Sequence, residues 1–336
     1  MNQRYDFASD NVVGAMPEVM AALAEANAGA VSSYGTDDYG ARAADLIRQM
    51  LDADAEVRFV ASGTAANALT LAALAAPHEA VLCHAHSHVA TDETGAPGFF
   101  GSGVGLNLLP GAAGRIDPQA LARALAEPDV SHHQSAAALS LTNANEYGLV
   151  YSVAQIADLA GPAKAAGLKV HLDGARLSNA VAAGFDITKL APMGVDIAVL
   201  GGTKAGSTPT EAIVLFDKAL ARRFDARLKH AGQLVSKGRF LAAPWIGMLQ
   251  DGAWTRRAAH ANKMAKRLAE LMPFKIAHAV EANAIFVEMD DPALQRLHAA
   301  GWFAYRFLDG SVRFMCNWST TPEAVDELGA ALKALT

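Results

Sequence analysis

Cysteine is nearly absent from this chain of 336 residues: there are two, Cys83 and Cys316. Two thiols make no disulfide framework, and a chain so poor in them suits a reducing cytoplasm. Charge is also sparse, at 18% of residues, and it leans acidic, with a formal net charge of −6. A nucleic-acid partner would demand a basic face, so none is expected. Long apolar runs are missing too, since no uninterrupted stretch approaches the roughly 20 residues that span a bilayer. The opening residues, Met1 to Asp6, lack a basic region followed by an apolar core. Neither a secretion signal nor a membrane partner is therefore expected.

What is present is apolar. Hydrophobic residues make up 52% of the chain, many of them alanines in helical stretches. That content and length allow one large domain and a smaller one, each with its own core. From residue 57 onward, strand-like runs alternate with alanine-rich helical ones. Val57–Ala61 leads into 63–75, Ala80–His84 into a glycine-rich stretch, Ala136–Thr142 into 153–166, and Leu168–Asp173 into 175–183. This is the βαβ rhythm of a mostly parallel sheet with helices on both faces. Around Pro244 the rhythm changes. Ile246, Leu249, Trp254, Ala258, Ala261, Met264, Leu268 and Leu271 recur at helical spacing and predict one long linking helix. Strand-like segments at 284–289, 302–308 and 311–317 follow, then a helix capped by Thr321 with Pro322 in its first turn. The reading is an N-terminal arm at 1–14, a large domain at 15–245, and the linking helix with a small C-terminal α+β domain at 246–336.

Two strand ends carry the chemistry. One run stops at Asp173, in Val170-His-Leu-Asp-Gly-Ala-Arg176; the next, from Asp196, stops at Lys204 after Gly201-Gly202-Thr203. Both fall at the carboxyl edge of the sheet, where open α/β sheets bind ligands. A lysine amine forms a Schiff base with pyridoxal 5′-phosphate, and an aspartate holds that cofactor's ring nitrogen protonated. Ser62-Gly63-Thr64 ends one strand and starts a helix, giving N–H groups and hydroxyls for a phosphate, though the same motif is an ordinary helix cap. His84, His86 and His88 alternate, so on an extended strand they share a face. That arrangement fits a metal site, an imidazole stacked on a cofactor ring, or a plain polar wall; stacking is preferred, because only Asp92 and Glu93 stand near to complete a metal shell. Arg176 and Arg313 suit a bidentate clamp on a substrate carboxylate.

These motifs resemble the pyridoxal-phosphate-dependent L-threonine aldolases of the fold-type-I aminotransferase superfamily, over nearly the whole chain. The resemblance rests on Ala8-Ser9-Asp10-Asn11, Tyr34-Gly35-Thr36-Asp37, Ser62-Gly63-Thr64, His88 with Glu93, His171-Leu-Asp173-Gly-Ala-Arg176, and Gly202-Thr203-Lys204. It implies that Lys204 carries the cofactor, that Asp173 pairs with its ring nitrogen, and that His88 stacks on the ring. Ser62, Gly63, Thr64, Arg176 and Thr203 complete the cofactor site. Ser9, Arg176 and Arg313 would hold the carboxylate of a small amino-acid substrate. It further implies a homotetramer, a dimer of dimers, whose sites borrow residues from a neighbour. This chain departs from the family at Thr142-Asn143-Ala-Asn145-Glu146, where many members read Glu-Asn-Thr-His, and Lys229 to Lys237 replaces a glycine-rich loop. Asn145 thus stands where a histidine often faces the substrate hydroxyl. An amide there predicts loose discrimination between β-epimers and turnover of phenylserine-type substrates. The implied reaction is retro-aldol cleavage to glycine and an aldehyde, with His88, or a water it orders, as the base. The rivals are β-elimination or transamination on the same fold, a hydrolase built on the three histidines, and a non-catalytic binding protein.

Overall fold

The structure, a computed structural model, describes residues 3–336. Its main sheet has seven strands: β1 (Glu56–Val60), β2 (Glu79–His84), β3 (Gly105–Leu109), β4 (Ser135–Thr142), β5 (Lys169–Gly174), β6 (Ile197–Gly201) and β7 (Glu211–Leu215). They lie in the order β1-β7-β6-β5-β4-β2-β3. All pairings are parallel except those of β7, which runs antiparallel to both β1 and β6. Every residue of β6 and β7 is buried, as expected of a sheet covered on both faces.

The alternation read from the sequence holds for most of this sheet and misses two strands. β3 is a half-exposed edge strand hidden in the glycine-rich stretch. β7 follows β6 through a short hairpin instead of a helix, which is why its antiparallel direction could not be inferred from a βαβ rhythm. The hairpin needs its glycines. A Cβ on Gly201 would sit 2.1 Å from the Ala175 carbonyl oxygen, and one on Gly202 would sit 2.4 Å from that of Thr210. Two buried tryptophans close over it, Trp254 Nε1 donating to the Gly201 carbonyl at 3.1 Å and Trp245 Nε1 to the Thr210 hydroxyl at 3.2 Å.

The single linking helix expected across 246–271 is two helices, Arg239–Leu249 and Ala253–Leu271. Between them Gly252 takes φ 66°, a left-handed conformation that ends one helix and starts the next in a new direction. Beyond them lies a three-stranded antiparallel sheet of β8 (Ala284–Val287), β9 (Tyr305–Arg306) and β10 (Val312–Met315), ordered β8-β10-β9. The segment expected as a strand over 302–308 pairs over only two residues. The final helix, Pro322–Lys333, is capped as expected by Thr321, whose side chain accepts the Ala324 N–H.

The N-terminal segment joins the two sheets. Arg4 pairs its backbone with Gly301 and Phe303, and Phe7 packs with Trp302, Phe314 and Cys316 in the smaller core. Met16, a few residues on, belongs to the larger one. Burying a phenylalanine stabilises by about 1.5–3 kcal/mol, so Phe7 and Met16 anchor both ends of the arm. Ser9, Asp10 and Asn11 are thereby held across the gap between the sheets.

Candidate active site

Asp173 is the fifth residue of β5 and pairs in register with Thr142 of β4 and Val199 of β6. Its carboxylate is buried, with Oδ2 accepting the Asn67 amide at 2.9 Å and Oδ1 the Ala175 N–H at 2.9 Å. Burial works to raise its pKa, but the Ala175 N–H, His171 and Asn67 together hold it below the ordinary carboxylate value. It is a fixed anion. Asn67 lies one helical turn beyond Gly63 in the helix Gly63–Leu74, so it ties the acid to that helix. Behind Asp173, buried His171 bonds Ser140, and burial pushes its imidazole down to about 4.

Lys204 stands just past β6, at the start of the hairpin. Burial, and then the nearby Arg176 guanidinium, lowers its amine below the usual lysine value, against the opposing pull of Asp10, Asp173 and Glu211. Such an amine keeps a larger neutral fraction and is a better nucleophile. It lines a cavity of about 370 Å³ together with Ser9, His88, Glu146, Arg176 and Arg313. Tyr305 to Leu308 form the opposite rim. The cavity therefore spans the large sheet, the arm and the small sheet.

The two arginines are not equivalent. Arg176 is locked to Asp10 by two hydrogen bonds, Nε to Oδ2 at 2.7 Å and Nη2 to Oδ1 at 3.0 Å. Arg313 is also buried, but its Nε has no hydrogen-bond partner, and its guanidinium lies over the rings of Tyr305 at 4.8 Å and Phe307 at 5.2 Å. Burial, and then the charge of Arg176, pushes its pKa down to about 10. A buried cation repelled by its neighbour is a site that an incoming anion would stabilise. Ser9 lies beside it, its hydroxyl accepting the Asn11 N–H at 3.2 Å.

The expectation that the three histidines share a face is not met, because β2 ends at His84 and the chain turns before a short helix starts at His88. His84 is 3.2 Å from the Gly111 carbonyl, His86 is 2.6 Å from the Tyr147 hydroxyl, and His88 Nδ1 is 2.9 Å from Glu93. Only His88 reaches the cavity. Its hydrogen bond with Glu93 raises its pKa, more than burial lowers it. Among the described residues, no group of three His, Cys, Asp or Glu side chains is placed to hold a metal ion.

The remaining expected residues divide. Ser62 caps the helix Gly63–Leu74 by accepting the Ala65 N–H, and a Cβ built on Gly63 would meet nothing within 4 Å, so the helix start is open to a phosphate. Thr64 follows in the first turn. Thr203 lies behind Lys204, where its hydroxyl accepts the Thr210 N–H. Asn145 does not face the cavity, contrary to the sequence reading. Its Oδ1 accepts the N–H groups of Tyr147 and Leu149, and its Nδ2 donates to the Ala113 carbonyl, so the amide is consumed in building its own turn. Its neighbour Glu146 lines the cavity instead. Asp10, Asn67 and Glu146 were given no role from the sequence; the i+4 spacing of Asn67 from Gly63 was the one local signal available. Tyr34, Gly35 and Thr36 line a separate cavity of about 430 Å³ with Arg58, Asp225 and Gln233.

These features fit pyridoxal 5′-phosphate. An open helix N-terminus, a fixed buried carboxylate and a lysine of lowered pKa offer partners for its phosphate, ring nitrogen and aldehyde. The beta-eliminating lyase family matches residues 6–292, and the chain belongs to that family. Within it, the chain is 45% identical to the low specificity L-threonine aldolase of Pseudomonas aeruginosa, over 97% of this chain and 96% of the relative. It is 42% identical to the low specificity L-threonine aldolase of a Pseudomonas species, over 99% of both. Its fold superposes on the threonine aldolase of Leishmania major with a TM-score of 0.93 at 27% identity, covering 99% of each chain. The serine palmitoyltransferase of Sphingomonas wittichii shares the fold at a TM-score of 0.72 and 15% identity. The architecture is thus that of fold-type-I pyridoxal-phosphate enzymes, as the sequence motifs implied.

Proposed function

We propose that this chain is a carbon–carbon lyase of the low-specificity L-threonine aldolase type, cleaving β-hydroxy-α-amino acids such as L-threonine, L-allo-threonine and phenylserine to glycine and an aldehyde. The observation that carries this reading is the meeting of Lys204, Arg176 and Arg313 in one cavity, with Asp173 fixed at the adjacent strand end. Pyridoxal 5′-phosphate, when bound, supplies the electron sink for the broken Cα–Cβ bond. Lys204 would hold its aldehyde, Asp173 its ring nitrogen, and Ser62, Gly63, Thr64 and Thr203 the phosphate end. His88 would lie over the ring, oriented by Glu93.

Arg313 would take the substrate carboxylate, with Ser9 and the free edge of Arg176 beside it. Fixing the carboxylate fixes which Cα bond stands perpendicular to the ring. Orientation of this kind supplies up to roughly 7–11 kcal/mol of a barrier. The consumption of Asn145 in its turn takes that amide away from the β-hydroxyl, and the expected looseness toward β-epimers rests on the relatives' low specificity instead.

The remaining expectations belong to the same reading: a homotetramer in the cytoplasm, with an arm to residue 14, a large domain to 245 and a linking and small domain beyond. Exposed Val12, Val31, Tyr34 and Phe99 support contact between copies, and both cysteines are free and buried. No helix among the described residues is long and apolar enough to cross a membrane. Product analysis tests the reaction. Glycine with acetaldehyde from L-threonine, and with benzaldehyde from phenylserine, is expected. A keto acid with ammonia would establish β-elimination instead, the reaction for which the family is named.

A further inference from the structure

Two carboxyls, Asp92 and Glu146, line the substrate cavity with Lys204, Arg176 and Arg313; Asp92 is exposed, whereas Glu146 keeps an oxygen that is buried and left over. Its Oε1 is held by the His88 N–H at 2.9 Å and the Thr142 hydroxyl at 3.1 Å. Its Oε2 is sealed from solvent and has no hydrogen-bond partner. A buried, unpartnered carboxyl oxygen is costly unless it carries a proton or meets a ligand. The turn that presents it is rigid. Asn145 accepts the N–H groups of Tyr147 and Leu149, just beyond it, and Asn143 accepts the Tyr151 N–H at 3.0 Å.

Resting on the aldolase reading, we propose that Glu146 is the base that takes the proton from the substrate's β-hydroxyl. The O–H proton passes to the carboxylate, the hydroxyl oxygen forms the aldehyde carbonyl, and the Cα–Cβ bond breaks. Its electron pair stays with the Cα fragment, where the cofactor, when bound, would delocalise it, and a proton returned to Cα completes glycine. This fills the place that the sequence reading gave to His88 or a water it orders, with Asn145 as the partner of the hydroxyl. Asn145 is occupied elsewhere, and the Glu93 hydrogen bond favours the protonated form of His88, a poorer proton acceptor.

The surroundings set the carboxyl's acidity suitably. Burial raises Glu146 to about 7, offset in part by its own backbone and the His88 N–H, while Asp173 pushes it up further. Arg176 faces it as a cation, and Lys204 lies across the same cavity. Cys83, Tyr147 and Tyr151 also face it, each in its neutral form because burial has raised its pKa. A base is most effective when its pKa lies near the working pH.

The test compares wild-type holoenzyme with Glu146→Gln, which keeps an acceptor for the His88 N–H and the Thr142 hydroxyl but cannot take a proton. Expected are an unchanged melting temperature and an unchanged rate of α-proton exchange in glycine, which has no β-hydroxyl. Expected too is a loss of at least about a hundredfold in kcat for L-threonine cleavage, with the rise of kcat through neutral pH abolished. Infrared difference spectra of the ligand-free protein, taken on either side of neutrality, should lose one carboxylic-acid band in the variant. The band of buried Glu211, also raised to about 7, should remain. Glu146→Asp should recover part of the lost cleavage. Cleavage within a few-fold of wild type, or an equal loss of cleavage and glycine exchange, would overturn the assignment. A wild-type protein that exchanges glycine but releases no aldehyde overturns the aldolase reading itself, and that is seen before any variant is made.

Discussion

The floor and the far wall of the cavity are built in opposite ways. The floor is the carboxyl edge of the large sheet: Lys204 lines it past β6, after a hairpin with no room for side chains at Gly201 and Gly202, and Asp173, set by the β5 ladder, stands at the adjacent strand end. The wall is the arm and the small sheet: Ser9, Tyr305, Phe307 and Arg313, with buried Asp10 of the arm bonded to Arg176, held by contacts between distant parts of the chain. β9 pairs over two residues only, and Tyr305 and Leu308 are exposed. Short, exposed elements are the ones that open at low free-energy cost. The cofactor end is therefore rigid and the substrate end adaptable, as the proposed low-specificity cleavage would require.

The sharpest break of this contrast is at Lys204. Lys204→Ala should lower kcat by at least about a thousandfold without lowering the melting temperature, because it removes the reacting amine and no core packing. Borohydride reduction and peptide mapping of the wild type should find the pyridoxyl group on Lys204; an adduct at Lys189 or Lys218 would move the floor elsewhere.

Asp10→Ala attacks the wall. It strands the buried Arg176 guanidinium beside Arg313 and should cost about 3–5 kcal/mol of stability. Burial works to raise the Asp10 carboxyl, but Arg176, with Lys204 and Arg313, holds it below the ordinary value. A depressed carboxyl stabilises the fold above its unfolded pKa of about 3.9 and loses that contribution as pH falls through the folded value. Denaturation curves for variant and wild type should accordingly differ most near neutrality and converge in acid.

Gly201→Ala returns to the floor with a smaller effect. Its Cβ meets backbone, not a flexible side chain, and overpacking of that kind costs about 1–3 kcal/mol. Calorimetry should show a lower melting temperature, with kcat falling too if Lys204 shifts. The mildest change is Tyr305→Leu, which removes one of two rings over Arg313. An exposed cation–π contact is worth about 0.5–1 kcal/mol, so KM for L-threonine should change a few-fold with kcat nearly constant. A large kcat loss there would show that the wall is as exacting as the floor.

Much of the floor was legible in the sequence because its determinants are local. An apolar run that stops at an acid, and the next that stops at glycines and a lysine, places both side chains at one sheet edge whatever the rest of the chain does. Ser62-Gly63-Thr64 read as a strand end and helix start for the same reason, and the helix starts there with Ser62 as its cap. Composition alone bounded the chain as globular and without a span for a membrane helix.

What only the tertiary structure decided is long-range or directional. No local pattern pairs Asp10 with Arg176, 166 positions away, and of the two cavity arginines that pairing leaves Arg313 with an unpartnered nitrogen. Alternating histidines share a face only on an extended strand, and the strand ended at His84. A periodic apolar stretch does not reveal that Gly252 will turn the helix. Adjacent side chains in a turn point in different directions, so backbone geometry, not residue type, turned Asn145 into its own loop and left Glu146 in the cavity.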